Sequence, residues 1–105
     1  NDTVYVGDVA RSILLALKVS RPSQWVFNIG TGKGSTPREF VTVLKSIFPE
    51  AKIEIGPGPS RLGRAKQSYC IFDISAATDQ LGYAPTYDVE RGVCDYIERI
   101  RRLRA

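Results

Sequence analysis

Apolar positions along the chain alternate between two rhythms. Short β-branched and aromatic runs occur at Thr3–Val6, Trp25–Ile29, Lys52–Ile55 and Tyr69–Phe72, and each predicts a strand. Between and after them the apolar residues recur at helical spacing. Val9, Ala10, Ile13, Leu14 and Leu17 fall on one face of a helix that Asp8 would cap and that runs to about Lys18. Thr36-Pro37-Arg38-Glu39 has the form of a capping box with proline in the first turn, and it opens a helix carrying Phe40, Val43, Leu44, Ile47 and Phe48. Asp73 begins a short helix that stops at Leu81-Gly82, where glycine supplies the left-handed position. Asp88 begins the last helix, with Val89, Val93, Tyr96, Ile97, Ile100 and Leu103 turned inward and Arg99, Arg101, Arg102 and Arg104 near its negative end.

The order is β-α-β-α-β, a loop, then further elements. Helices between successive strands imply parallel pairing with right-handed crossovers. The expectation is an α/β fold: a small, mainly parallel sheet of three to four strands with flanking helices, all in one domain over residues 1–105. A compact chain of this size has a radius of gyration of about 13 Å.

Composition narrows the function. Hydrophobic residues make up 43% of the chain and charged residues 25%, ordinary for a folded domain and wrong for a disordered one. No apolar run has the length of a membrane helix, so no membrane partner is expected. The net charge of +4 suits an anionic ligand but is too dispersed for a nucleic-acid footprint. Histidine is absent, which removes the usual general base and the commonest metal ligand. Cys70 and Cys94 have no metal-like spacing, and Cys94 lies near the apolar face of the last helix, where buried packing is expected. A reduced, cytoplasmic setting is the default. Methionine is absent even at position 1, so the chain reads as a processed product or an excised fragment.

Two segments invite phosphate. Gly30, Gly32 and Gly34 follow a strand and precede a capped helix, but Ser35 stands where a dinucleotide fingerprint needs its third glycine. Gly34 follows Lys33 where a phosphate loop needs Ser or Thr. The turn reads either as an anion site at a helix N-terminus or as a plain turn. The stretch from Pro59 to Lys66 carries Arg61, Arg64 and Lys66, a diphosphate clamp or a solvated basic loop. Tyr69 follows it and could stack on a nucleotide base.

Six motifs in order resemble the C-terminal part of the extended short-chain dehydrogenase/reductases, the NAD-dependent nucleotide-sugar epimerases and dehydratases. They are Val4-Tyr5-Val6-Gly7-Asp8-Val9-Ala10, Val26-Phe27-Asn28-Ile29-Gly30-Thr31-Gly32, Thr36-Pro37-Arg38-Glu39-Phe40, Phe72-Asp73-Ile74-Ser75-Ala76-Ala77, Leu81-Gly82-Tyr83-Ala84-Pro85 and Val89-Glu90-Arg91-Gly92-Val93. The resemblance implies the nucleotide-sugar-binding lobe of a Rossmann-type enzyme, without the N-terminal domain that holds the glycine fingerprint, NAD and a catalytic Tyr-x-x-x-Lys pair. No tyrosine here is followed four residues later by lysine. The fragment alone is therefore expected to bind no cofactor and to have no turnover, while its parent would be an enzyme.

The resemblance also places a substrate contact at Arg61, since Arg61-Leu62-Gly63 matches the start of the family's Arg-x-Gly-Asp stretch. Arg64 stands where the family often has Asp, and Ala76 where it has Lys. The implied partners are a nucleotide-sugar, the missing Rossmann domain and, through exposed edges, further copies of the chain. The rival readings are a free-standing anion- or nucleotide-binding module built on the glycine turn, and a non-catalytic interaction protein on the same fold.

Overall fold

A computed structural model describes residues 1–56 and 70–105. Four helices follow in order: α1 Val6–Lys18, α2 Pro37–Ile47, α3 Ser75–Leu81 and α4 Val89–Leu103. Each overlaps a helix that the sequence predicts. The Thr36 hydroxyl accepts from the Glu39 amide at 3.4 Å, and the Glu39 carboxylate accepts from the Thr36 amide, so both halves of the capping box form. Asp88 caps α4 by accepting from the Arg91 amide at 2.8 Å. Gly82 closes α3 with φ +69°, a conformation that side-chain-bearing residues adopt only with strain.

The expected parallel sheet is absent: no strand forms among the described residues, which overturns the α/β expectation. The physical reason is the want of backbone partners in register among the described residues. A strand is stabilised by a partner along its edge and by packing against its faces, not by β-branched composition alone. Trp25 and Val26, in the strongest predicted strand, are 89% and 79% exposed. Thr3–Val6 ends by entering α1, and Lys52–Ile55 carries no ladder. What remains of cross-chain backbone pairing is isolated: the Asp2 amide donates to the Cys70 carbonyl at 2.9 Å, and the Ser35 amide to the Asn1 carbonyl at 2.8 Å. Tyr69, the first residue of the fourth predicted strand, lies outside the described residues.

The core is small. Ala77, Leu81 and Tyr83 are buried, with Leu15, Val19, Phe27, Ile29 and Ile74 packed around them. Tyr83 donates its hydroxyl to the Gly30 carbonyl at 2.7 Å, so the one large buried polar tip of this cluster is satisfied. Burial, followed by the nearby Asp8 carboxylate, pushes the Tyr83 phenol up and keeps it protonated. A second layer forms where α2 packs on α4. The radius of gyration is 16.6 Å, broader than a compact domain of this length, and the molecule is 18 Å thin along its shortest axis.

Helix α1 reverses its expected orientation. Its buried positions are Asp8 and Ser12, whereas Ile13, Leu14 and Leu17, expected inside, are exposed. Asp8 is not the N-cap either; α1 begins two residues earlier, and Asp8 sits in its first turn. Cys94, expected to be buried, is exposed, as are Tyr96 and Leu103 of the predicted inward stripe. Val89, Val93, Ile97 and Ile100 of the same stripe are half-buried, and α4 packs on α2.

Candidate functional site

Two carboxylates build the surroundings of the main cleft. Asp2 accepts at Oδ1 from the Thr31 amide at 2.8 Å and the Thr31 hydroxyl at 2.6 Å. Its Oδ2 accepts from the Gly32 amide at 2.9 Å and from the Phe72 amide at 3.3 Å. Burial pushes this carboxyl up, but the hydrogen bonds from Thr31, Gly32 and Phe72 together outweigh burial and hold it below the usual carboxylate range. Gly30 is required by this arrangement, since a Cβ there would stand 2.6 Å from Asp2 Oδ2 and 3.0 Å from the Phe72 ring. Gly32 reaches φ +70° to present its amide.

Asp8 does the same for the segment leading into α4. It is completely buried and accepts from the Thr86 amide at 3.0 and 3.1 Å, the Thr86 hydroxyl at 2.8 Å and the Tyr87 amide at 3.0 Å. Arg11, one turn along α1, pairs with Asp8 at 3.2 Å and also donates to the Ala84 carbonyl. Tyr5 packs its ring on Tyr87 with centroids 4.6 Å apart and donates its hydroxyl to Asp95. That hydrogen bond pushes the Tyr5 phenol up and, with Arg99, holds Asp95 below the ordinary range. Arg91 covers the Tyr87 ring, its guanidinium carbon 4.9 Å from the centroid.

Between these two pinned segments and α2 lies an open cleft of about 630 Å³. Its walls include Lys33 from the glycine turn, Glu39 and Thr42 from α2, and Tyr87, Asp88 and Glu90 at the start of α4. Three carboxylates against one lysine make it a poor seat for a phosphate. Among the described residues no group of three or more His, Cys, Asp or Glu side chains is placed to hold a metal. The cleft offers hydroxyls and carboxylates for binding.

The glycine turn does not serve as an anion cradle. The Thr31 and Gly32 amides that would face a phosphate already meet the Asp2 carboxylate, an internal anion in the same place. The start of α2 is likewise closed by its own capping box. The residues present thus do not fit a dinucleotide cofactor such as NAD at this turn. Arg61, Arg64, Lys66 and Tyr69, the predicted substrate contacts, lie outside the described residues. Sequence reasoning missed Asp2 entirely and gave Asp8 only a capping role. The available signal was two carboxylates six positions apart flanking an apolar run, where a charge is seldom left unpaired.

No helix among the described residues is long and apolar enough to cross a membrane. No family model matches the chain. Its sequence is 35% identical over 92 residues to a protein of Methanocaldococcus jannaschii named "Putative UDP-glucose 4-epimerase". The match takes in 88% of this chain and 28% of that relative, so the chain spans little more than a quarter of the relative's length. The chain is thereby related in sequence to a protein named as a nucleotide-sugar epimerase.

Proposed function

We propose that the chain is the substrate-binding part of an NAD-dependent nucleotide-sugar epimerase or dehydratase, and that it orients the nucleotide diphosphate-sugar. The carrying observation is the 92-residue similarity to the archaeal relative, which takes in 88% of this chain. In this reading NAD, which supplies hydride transfer, belongs to a separate domain that also contributes the catalytic groups. This chain's share is position: holding the diphosphate fixes where the sugar carbon stands.

The charge distribution supports the division of labour. The described cleft is acidic, and its glycine turn is filled by Asp2. The diphosphate contact is therefore assigned to Arg61, with Arg64 and Lys66 beside it, because guanidinium forks match phosphate oxygens in pairs. Tyr69 is assigned to the base.

Calorimetry on this chain with UDP, UDP-glucose and NAD tests the proposal. UDP and UDP-glucose are expected to bind and NAD is not. Arg61→Ala should weaken UDP binding by about 1.5–3 kcal/mol, the range for hydrogen bonds to charged groups, with little change in folding stability. Saturable, stoichiometric NAD binding would refute the division of labour, and an unchanged UDP affinity in Arg61→Ala would remove the role of that arginine.

A further inference from the structure

The segment from Cys70 to Ile74 lies along the glycine turn. A Cβ placed on Gly30, Gly32 or Gly34 would stand 3.0, 3.6 and 3.4 Å from the side chains of Phe72, Ile74 and Ile71 in turn. Packing alone holds this segment weakly, since Ile71 and Phe72 are 56% and 39% exposed. Hydrogen bonds to the first two residues hold it instead. The Asp2 amide donates to the Cys70 carbonyl at 2.9 Å, and the Cys70 amide donates to Asn1 Oδ1 at 3.3 Å. Asp2 Oδ2 accepts from the Phe72 amide, while the same carboxylate accepts from the Thr31 and Gly32 amides. One side chain therefore ties the turn to the segment.

We propose that Asp2 is a positioning residue for the nucleotide base, acting through Cys70–Phe72 on the neighbouring Tyr69. This deepens the proposed function and rests on its assignment of the base to Tyr69, which lies outside the described residues. The argument is covalent. Adjacent Cα atoms are fixed about 3.8 Å apart, so where Cys70 is held limits where Tyr69 can carry its ring. Arg61 is nine positions from Cys70, and two rotatable dihedrals at each intervening residue weaken the same constraint there. Asp2 thus bears on base stacking rather than on the diphosphate contact. A direct electrostatic role would have the opposite sign, because removing a carboxylate favours an anionic ligand.

Calorimetry with UDP and with inorganic pyrophosphate tests this on the 105-residue chain, Asp2→Ala, Tyr69→Ala and the double variant. Asp2→Ala should weaken UDP binding about two- to tenfold, the equivalent of one ordinary hydrogen bond, without weakening pyrophosphate, which has no base to stack. The double variant should bind UDP no more weakly than Tyr69→Ala, since Asp2 acts through that ring. Asp2→Asn keeps one acceptor oxygen and should show a smaller loss in the same direction. Gly82→Ala, destabilised at the far end of α3, should keep both affinities and so separates positioning from general loss of stability.

Unchanged UDP affinity in Asp2→Ala, alongside a weakened Tyr69→Ala, overturns the positioning role and leaves the proposed function standing. Additive losses in the double variant overturn it too, as does equal weakening of UDP and pyrophosphate. The double-mutant cycle decides on UDP alone where pyrophosphate binds too weakly to measure. Unchanged UDP affinity in Tyr69→Ala removes the base assignment and this proposal with it. A native chain that binds no UDP overturns the proposed function itself, and the positioning role falls with it.

Discussion

Replacing Asp8 by alanine tests the central claim about how this molecule is held together without a sheet. The carboxylate is completely buried and accepts hydrogen bonds from two amides and one hydroxyl of Thr86 and Tyr87, with Arg11 alongside. Alanine leaves the partly buried Thr86 and Tyr87 amides without their acceptor, at up to about 1–3 kcal/mol each. The loss of the Arg11 pair and of an acidic group in the first turn of α1 adds a fraction of a kcal/mol more. The expected loss is about 3–5 kcal/mol, in the range for breaking a buried charge pair. A domain of this size has about 5–15 kcal/mol in total, so the variant should sit near the edge of folding. Urea denaturation followed by circular dichroism should show the midpoint falling by about 2–3 M at a slope of about 1.5 kcal/mol per M. Asp8→Asn, which keeps one acceptor but turns an amide NH₂ toward the same donors, should recover part of the loss. A cost below about 1 kcal/mol for Asp8→Ala would refute the reasoning, because it would mean that water replaces the carboxylate at Thr86 and Tyr87 without penalty.

Two further outcomes follow from the glycine turn. The Asp2 carboxyl is held below its unfolded value of 3.8, so its contribution is present above that pH and is lost as pH falls through the folded value. Stability curves of the native chain and Asp2→Asn, measured by urea melts from pH 7 to pH 2, should converge at the acid end; parallel curves would refute the Asp2 clamp. Gly30→Ala should cost about 1–3 kcal/mol, because its Cβ meets Asp2 and Phe72. Gly82→Ala, with φ +69° and open space around it, should cost about 1–2 kcal/mol through backbone strain alone.

The helices were legible because their signals are local. Thr36 and Glu39 are three residues apart, Asp88 and Arg91 likewise, and Gly82 adjoins the helix it ends. The strands failed because a ladder is a relation between distant segments, and Trp25–Ile29 has the composition of a strand but no ladder among the described residues. The orientation of α1 failed for a related reason. Apolar periodicity identifies which residues share a face but not what that face meets, and here the deciding partners of Asp8 lie 78 and 79 positions away. Burial is the usual fate of an apolar stripe; here a satisfied buried carboxylate on the opposite side outweighs it.

The same two carboxylates connect the unexpected fold to the chemistry. Asp2 and Asp8 tie separate segments together through side-chain acceptors on backbone amides, much of the work that strand pairing would otherwise perform. A turn stabilised in this way has given its amides to an internal anion and has little left for an external one. Sequence pattern alone could not distinguish that state from an open phosphate cradle, since Gly30, Gly32 and Lys33 read identically in both. With the turn filled and the neighbouring cleft dominated by Glu39, Asp88 and Glu90, phosphate recognition in the proposed function falls to the cations from Arg61 to Lys66.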